Sequence, residues 1–449
     1  MSLIVQKFGG SSVENPQRIL KVAQTVIDAK LKGYEVVVIV SAMGDTTDYL
    51  IELSQKISVR PTQREMDSLL STGELISIAT LAMAINSLGH SSPKKIVAHA
   101  FTGSQAGIIT DQSYGFAHIE RIEPKAIKRA LIHNVIPVVA GFQGIYLPDQ
   151  AVTTLGRGGS DLSAVALSAA LEADICEIYT DVDGIFTIDP RLDSKASKFD
   201  AIRSDSLLEL SASGAKVVAP RAVEYARRNQ VTMHVRSSYS KINGTIVNSD
   251  GIINSMDIPN FDQDQYVKDL AQSEDPLLYG IATDHDHSKI TVYGVEDKPG
   301  VSAHLFTPLA RAGILVDLVV QNSSAKSYQS PKKITDISFT VQTKEVERAI
   351  KVLESLKEVL QYSGVGYDSA IAKVSLVGAS IKNNPNIFAQ TFSALAKQNI
   401  NIEMISTSEI RITLVIKAEK VKQAAEALHT EFGLDSKAQN AIVYAGSGR

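Results

Sequence analysis

The chain has 449 residues, room for about three domains of ordinary size. Its 44% apolar content can build large cores, and 45 Lys+Arg against 49 Asp+Glu leave a net charge of −4, with no basic run to track a nucleic-acid backbone. The longest apolar stretches, such as 36–40 and 164–171, fall short of the ~18–20 residues of a membrane helix, the first residues carry no basic leader, and one cysteine, Cys176, excludes an internal disulfide framework. The expectation is a cytoplasmic chain with neither a membrane nor a nucleic acid as partner.

Residues 1–250 alternate short β-branched runs (3–7, 35–40, 95–99, 135–140, 175–180, 231–235) with helical spacing. Ile19, Val22, Ala23, Val26 and Ile27 line one helix face; Ala164, Leu167, Ala170 and Leu171 line another. This pattern predicts an α/β domain with a mainly parallel sheet covered on both faces, and chemistry where strands end and helices begin. An acidic, proline-flanked connection follows at 251–276.

The remainder repeats itself. Pro299 recurs as Pro385 and Ile314 as Ile400, an offset of 86 in both cases, and Lys289-Ile-Thr-Val recurs as Lys373-Val-Ser-Leu. Each copy reads β-α-β-β-α with a final strand near 362–366 or 441–445. That predicts two ferredoxin-like (βαββαβ) units at 277–367 and 368–449. Two small open sheets in tandem imply an interface.

Four places carry candidate chemistry. Lys7-Phe8-Gly9-Gly10-Ser11-Ser12 ends the first strand, where close backbone N–H groups and a lysine suit a nucleotide phosphate, although composition alone favours a plain tight turn before a helix. Thr153-Thr-Leu-Gly156-Arg157-Gly158-Gly159-Ser160-Asp161 opens a helix with an arginine able to fork onto a carboxylate. Ser71-Thr-Gly-Glu74 has the spacing of a capping box, and sequence alone favours that over a carboxylate awaiting a substrate ammonium. Thr180-Asp181-Val-Asp183-Gly184 through Asp189-Pro190-Arg191 follows an apolar strand, as a nucleotide-holding loop does. Asp284-His285-Asp286-His287 mimics metal-ligand spacing but reads as a solvated loop, no metal site is assigned, and Cys176 reads as a small core residue.

In order and spacing these blocks, with Ser41-Ala-Met-Gly-Asp-Thr-Thr47 and Gly214-Ala-Lys216, resemble the aspartokinases over essentially the whole chain. The tail resembles their paired ACT domains through Asp297-Lys-Pro-Gly300, Gln321-Asn322 and Ile405-Ser-Thr-Ser-Glu-Ile410. The resemblance implies an amino-acid-kinase fold, an ATP-dependent phosphorylation of L-aspartate, and ATP with Mg²⁺ as cofactors. It implies Lys7, Asp161 and Lys216 as catalytic, and Ser41, Thr47, Glu74, Arg157 and Ser160 around aspartate. It places Lys7, Phe8, Gly9, Gly10, Thr180, Asp181, Phe186, Thr187, Asp189, Pro190 and Arg191 around the nucleotide. Asp297, Gln321, Asn401 and Ile402 stand at effector positions for lysine, threonine or both. A homo-oligomer through the ACT domains is implied, and an internal start at Met256 would add an ACT-only chain. Ala219-Pro220-Arg221 departs from the family's His-Pro-Arg. Competing readings are another kinase of this fold and a non-catalytic amino-acid sensor.

Overall fold

The computed structural model describes residues 2–92, 95–249, 278–321, 334–379, 381–435 and 443–444; the expected linker 251–276, Met256 and Asn322 lie outside them. The described residues divide into two compact units. The first holds strands β1 (Leu3–Phe8), β2 (Glu35–Val40), β3 (Val97–Phe101), β4 (Ile108–Thr110), β5 (Ile119–Ile122), β6 (Val135–Ala140), β7 (Gln143–Tyr146), β8 (Ala151–Thr154), β9 (Ile175–Thr180), β10 (Ala201–Arg203), β11 (Met233–Ser237) and β12 (Thr245–Asn248).

Eight of these form one sheet in the order β10-β12-β11-β9-β1-β2-β6-β3, parallel except where β11 meets β12. Its central strands are apolar on both faces: residues 36–40 are all buried, because helices cover the sheet from each side. Helix Pro16–Leu31 starts where Asn15 accepts a hydrogen bond from the Arg18 N–H at 3.1 Å and Pro16 sets the first turn. It buries the predicted face, Ile19, Val22, Ala23, Val26 and Ile27. The chain leaves β1 for β2 on one side and later adds β9 on the other, which makes the C-terminal end of β1 the switch point where such sheets bind ligands. A small second sheet, β5-β4-β7-β8, leads through β8 into the glycine-rich loop.

Gln63–Leu70 and Thr72–His90 run together as an apolar helical stretch long enough, by length and composition, to cross a membrane. Ile78, Leu81, Ala82 and Ile85 belong to the core of the first unit, so the stretch is a core helix of that unit.

The second unit holds β13 (Leu278–Asp284), β14 (His287–Glu296), β15 (Val316–Gln321), β16 (Ile334–Gln342), β17 (Gly364–Asp368), β18 (Ile371–Gly378), β19 (Met404–Thr407) and β20 (Arg411–Lys417). They form two antiparallel sheets, β15-β16-β14-β17 and β13-β18-β20-β19. The expected tandem boundaries 277–367 and 368–449 do not match this arrangement. β13 precedes the first ferredoxin-like unit yet pairs with β18 of the second, so β14–β17 are inserted into the other unit. Of the final strand expected near 441–445, only residues 443 and 444 are described, and Val443 bridges Val182 in the first unit.

The two sheets meet along β15 and β19, where Leu318 packs with Ile371, Met404 and Val415. Lys373 Nζ lies 2.5 Å from Asp317, and Lys289 pairs with Glu403, so equivalent residues of the repeat exchange ion pairs across the seam. Asp284 and His287, expected in a solvated loop, lie 2.9 Å apart where β13 turns into β14, and Asp284 also pairs with Lys373 at 3.2 Å. Despite the opposing effect of burial, His287 and Lys373 hold the Asp284 carboxyl well below the ordinary range.

Candidate active site

The candidate residues gather at the C-terminal ends of β1, β2 and β9 and at the start of helix Gly159–Leu171. Lys7, next to last in β1, is buried, and its Nζ lies 2.6 Å from Asp161 Oδ1 in the first turn of that helix. The turn after β1 is tied down by Ser12 N–H donating to Gly9 O at 3.0 Å and Gly44 N–H donating to Gly10 O at 3.1 Å. Phe8, expected at the nucleotide, has its side chain in the core. Its ring is buried and stacked on Tyr179 at 4.4 Å, so only its backbone faces the turn.

Glu74 is the clearest departure from the sequence expectation, because no capping box forms. The Ser71 N–H donates to Asp67 O at 3.0 Å, and its hydroxyl donates to Ser68 O at 2.9 Å. The preceding helix thus already satisfies the donors that a cap would serve. Glu74 instead points to the loop after β2, where Oε1 accepts from the Ala42 N–H at 3.0 Å, next to buried Ser41. Gly73 permits this approach, since a Cβ there would lie 2.8 Å from the Ala42 Cβ. Glu74 is 2% exposed, and its Oε2 has no hydrogen-bond partner among the described residues. Burial pushes its pKa up to about 7, opposed by the Ala42 N–H. A buried carboxylate oxygen without a donor is a receptor for a cation.

Arg157 lies exposed between Gly156 and Gly158, which have φ of 79° and 74°. Its side chain forms no ion pair among the described residues. Gly158 has a second reason to be glycine, as a Cβ there would sit 2.2 Å from the Ala219 Cβ. Alanine at 219, where the family has histidine, is therefore matched to a close backbone approach. The Ala219 N–H donates to Asp161 Oδ2 at 3.3 Å and draws the loop that carries Lys216 toward the Lys7–Asp161 pair. Lys216 itself is exposed on that loop. Ser160 is buried at the helix start, and Thr47 is half-buried in helix Thr46–Ile57.

The loop after β9 is laced internally. Arg191 pairs with Asp181 at 2.8 Å and with Asp189 at 3.4 Å, while Thr180 donates to Asp181 at 3.1 Å. Phe186 and Thr187, expected to line the nucleotide site, are buried within the loop, and Thr187 Oγ1 accepts from the Ser197 N–H at 3.0 Å. Asp181, Asp189, Pro190 and Arg191 remain on its accessible side.

Two further residues were given no role from sequence: Asp67, and Arg221 of the Ala219-Pro220-Arg221 segment. Asp67 is fully buried and accepts from Thr154 N–H (2.8 Å), Thr154 Oγ1 (2.7 Å) and Gly115 N–H (2.9 Å). Burial, more than these donors, sets its raised pKa. Arg221 donates to Leu155 O at 2.6 Å and Ala117 O at 2.9 Å, with its guanidinium 4.2 Å over the Phe116 ring. Together they tie down the adjacent residues Thr154 and Leu155, just ahead of Arg157.

Of the expected effector residues, Gln321 accepts from the Ser302 hydroxyl at 3.2 Å through its Oε1, and Asp297 lies four residues ahead of helix Val301–Arg311. Asn401 and Ile402 lie just ahead of β19. Gln321 ends β15, so it and the 401–402 pair lie beside the two strands that meet at the seam. Cys176 is buried in β9, and burial pushes its thiol up to about 12, as befits a core residue.

The comparisons with known proteins agree with this fold. The amino acid kinase family model matches residues 2–237, and the ACT domain model matches 290–356 and 374–432. The class is therefore an amino acid kinase with ACT domains. The aspartokinase of Mycolicibacterium smegmatis is 48% identical over 449 residues, covering 100% of both chains. That of Corynebacterium glutamicum is 46% identical over 450 residues, again covering 100% of both. Among solved structures, aspartate kinase from Synechocystis is 31% identical with a TM-score of 0.73, covering 98% of this chain and 99% of that one. E. coli aspartokinase III, solved with aspartate and ADP, shares the fold at 22% identity and a TM-score of 0.76, covering 96% and 99% of the two chains. The chain belongs to the aspartokinase family, and it is a kinase.

Proposed function

We propose that this kinase transfers the γ-phosphoryl group of ATP to the β-carboxylate of L-aspartate, giving 4-phospho-L-aspartate and ADP. The observation that carries the reading is the buried Glu74 carboxylate, one oxygen held by Ala42 and the other bare. It is the complement of an amino-acid ammonium. Arg157 supplies the fork for the α-carboxylate, with Ser41, Thr47 and Ser160 beside them.

The β-carboxylate, which ordinarily titrates near pH ~4, is ionised at neutral pH, so no general base is required. A carboxylate oxygen forms a bond to the γ-phosphorus as the bond to the β–γ bridging oxygen breaks. ADP leaves with that electron pair. The task is to hold two anions together and offset charge on the moving group. Lys7 and Lys216 do this, and Asp161 aligns Lys7. The turn at Gly9 and Gly10 and the loop at Thr180, Asp181, Asp189, Pro190 and Arg191 hold the nucleotide.

Among the described residues no three His, Cys, Asp or Glu side chains converge as a metal cage. Mg²⁺ would arrive on the nucleotide, since it retains waters and takes phosphate oxygens. When bound, Mg²⁺ neutralises phosphate charge. Lysine or threonine at Asp297, Gln321, Asn401 and Ile402 regulates the enzyme by binding one state better than the other. A cytoplasmic homo-oligomer built through the ACT domains completes the reading.

The test is an ADP-release assay with MgATP and L-aspartate, alongside glutamate and N-acetylglutamate, with Lys7→Ala as control. Aspartate-dependent turnover lost in the variant is expected, and lysine and threonine in the same wells address control. Turnover with another acid, or none with any, would sink the reading; no effector response in rate or melting temperature would sink the regulatory part.

A further inference from the structure

The nucleotide loop has a neighbour from the far end of the chain. Val443 bridges Val182 in antiparallel fashion, and the Tyr444 N–H donates to Asp181 O at 3.0 Å. The Tyr444 hydroxyl donates to Asp183 Oδ2 at 3.1 Å, and its ring stacks on Tyr239 with centroids 5.8 Å apart and planes 15° from parallel.

Each partner leads back to the site. Tyr239 donates its hydroxyl to Ser11 O at 2.7 Å, in the turn after β1, and Arg18 covers its ring at 5.2 Å. Ser238 bonds Ser12 at 2.8 Å, and its N–H donates to Thr180 O at 3.0 Å. Ser240 donates to the other oxygen of Asp183, which is buried. Residues 238–240 therefore bridge the glycine turn to the loop after β9, and Tyr444 closes that bridge from outside. Without its hydroxyl, Asp183 Oδ2 loses a donor. Without its ring, one face of Tyr239 is bare.

We propose that Tyr444 is a positioning residue of the nucleotide site, fixing the Asp181–Asp183 corner of the loop and, through Tyr239, the turn at Ser11. The site is thus completed by a segment that follows the last helix of the regulatory half, Val421–Glu431. This inference rests on assigning the loop after β9 to the nucleotide.

The experiment compares full-length wild type with Tyr444→Ala and Tyr444→Phe, reading MgADP affinity by calorimetry together with separate KM values for ATP and aspartate. Losing a hydrogen bond to a charged group and a ring contact, Tyr444→Ala weakens MgADP binding and raises the ATP KM about tenfold. Tyr444→Phe keeps the stack and shifts both by about threefold, while the aspartate KM stays within about twofold in each. Unchanged MgADP affinity in Tyr444→Ala overturns the proposal. So does a parallel loss of aspartate and nucleotide binding with a lowered melting temperature, which would mean a general structural role. Arg191→Ala, run alongside, separates the two layers. If it leaves MgADP affinity unchanged, the nucleotide loop itself is misassigned. If it weakens MgADP while Tyr444→Ala does not, only the role of Tyr444 falls.

Discussion

Replacing Glu74 by glutamine removes a charge and leaves shape and the Ala42 hydrogen bond nearly intact. The carboxyl is raised from 4.5 to about 7 by burial. That difference, at about 1.36 kcal/mol per pH unit, means the ionised group costs the free protein about 3 kcal/mol once the pH exceeds 7. The sign follows from the direction of the shift. A raised folded pKa gives a contribution that is fully present below the unfolded value and is lost as pH rises toward 7. Glu74→Gln is therefore expected to match wild type in stability near pH 4 and to exceed it by about 3 kcal/mol at pH 8. Activity moves the other way. Losing the charged partner of the substrate ammonium lowers kcat/KM for aspartate about 100-fold, with the ATP KM steady. In wild type, aspartate must meet the ionised form, so its kcat/KM falls below pH 7 by about tenfold per pH unit, and this dependence disappears in the variant. Denaturant melts at pH 4 and 8, with aspartate kinetics across pH 6–8, measure both. A variant less stable at pH 8, or one with aspartate kcat/KM within about threefold of wild type, would refute the assignment of Glu74 as a buried ammonium receptor.

Two other changes probe the segment around Arg157. Arg157→Lys exchanges a planar fork for a point charge, so kcat/KM for aspartate drops by about 10- to 100-fold while MgADP affinity holds; equal losses for both ligands would remove Arg157 from the aspartate side. Asp67→Asn turns an NH₂ toward donors that now share one acceptor. Urea melts should show a loss of about 2 kcal/mol, with a raised aspartate KM because Thr154 anchors the approach to Arg157. Unaltered stability would contradict the three hydrogen bonds Asp67 accepts.

What could be read from sequence was local. A strand-ending lysine before two glycines, and an arginine between glycines at a helix start, carry their chemistry within a few residues, and the structure joins them through Lys7 and Asp161. Glu74 shows where such reading fails. Ser-x-x-Glu specifies a capping box only if a helix begins there, and that depends on whether residues 63–70 run on into 72–90. Asp67 and Arg221 leave no local trace, because Asp67 meets Thr154 at a separation of 87 residues and Arg221 meets Ala117 at 104. Strand β13 has the same difficulty, since nothing in seven residues says which sheet they will join.

The repeat in the regulatory half shows how a visible pattern can still hide its consequence. Lys289 and Lys373 begin equivalent strands, and Asp317 recurs as Glu403 at the offset of 86. Pairing within each copy and pairing across copies are equally compatible with those residue types. The packing of Leu318 with Met404 decides it by bringing β15 and β19 together. Each lysine then reaches the carboxylate of the other copy, and Lys373, buried between Asp284 and Asp317, is neutralised from both sheets. A buried lysine with one partner removed is strongly destabilising. The insertion of one ferredoxin-like unit into the other and the exchange of ion pairs therefore reinforce each other: β13 brings Asp284 to Lys373 within one sheet, and β15 brings Asp317 from the other.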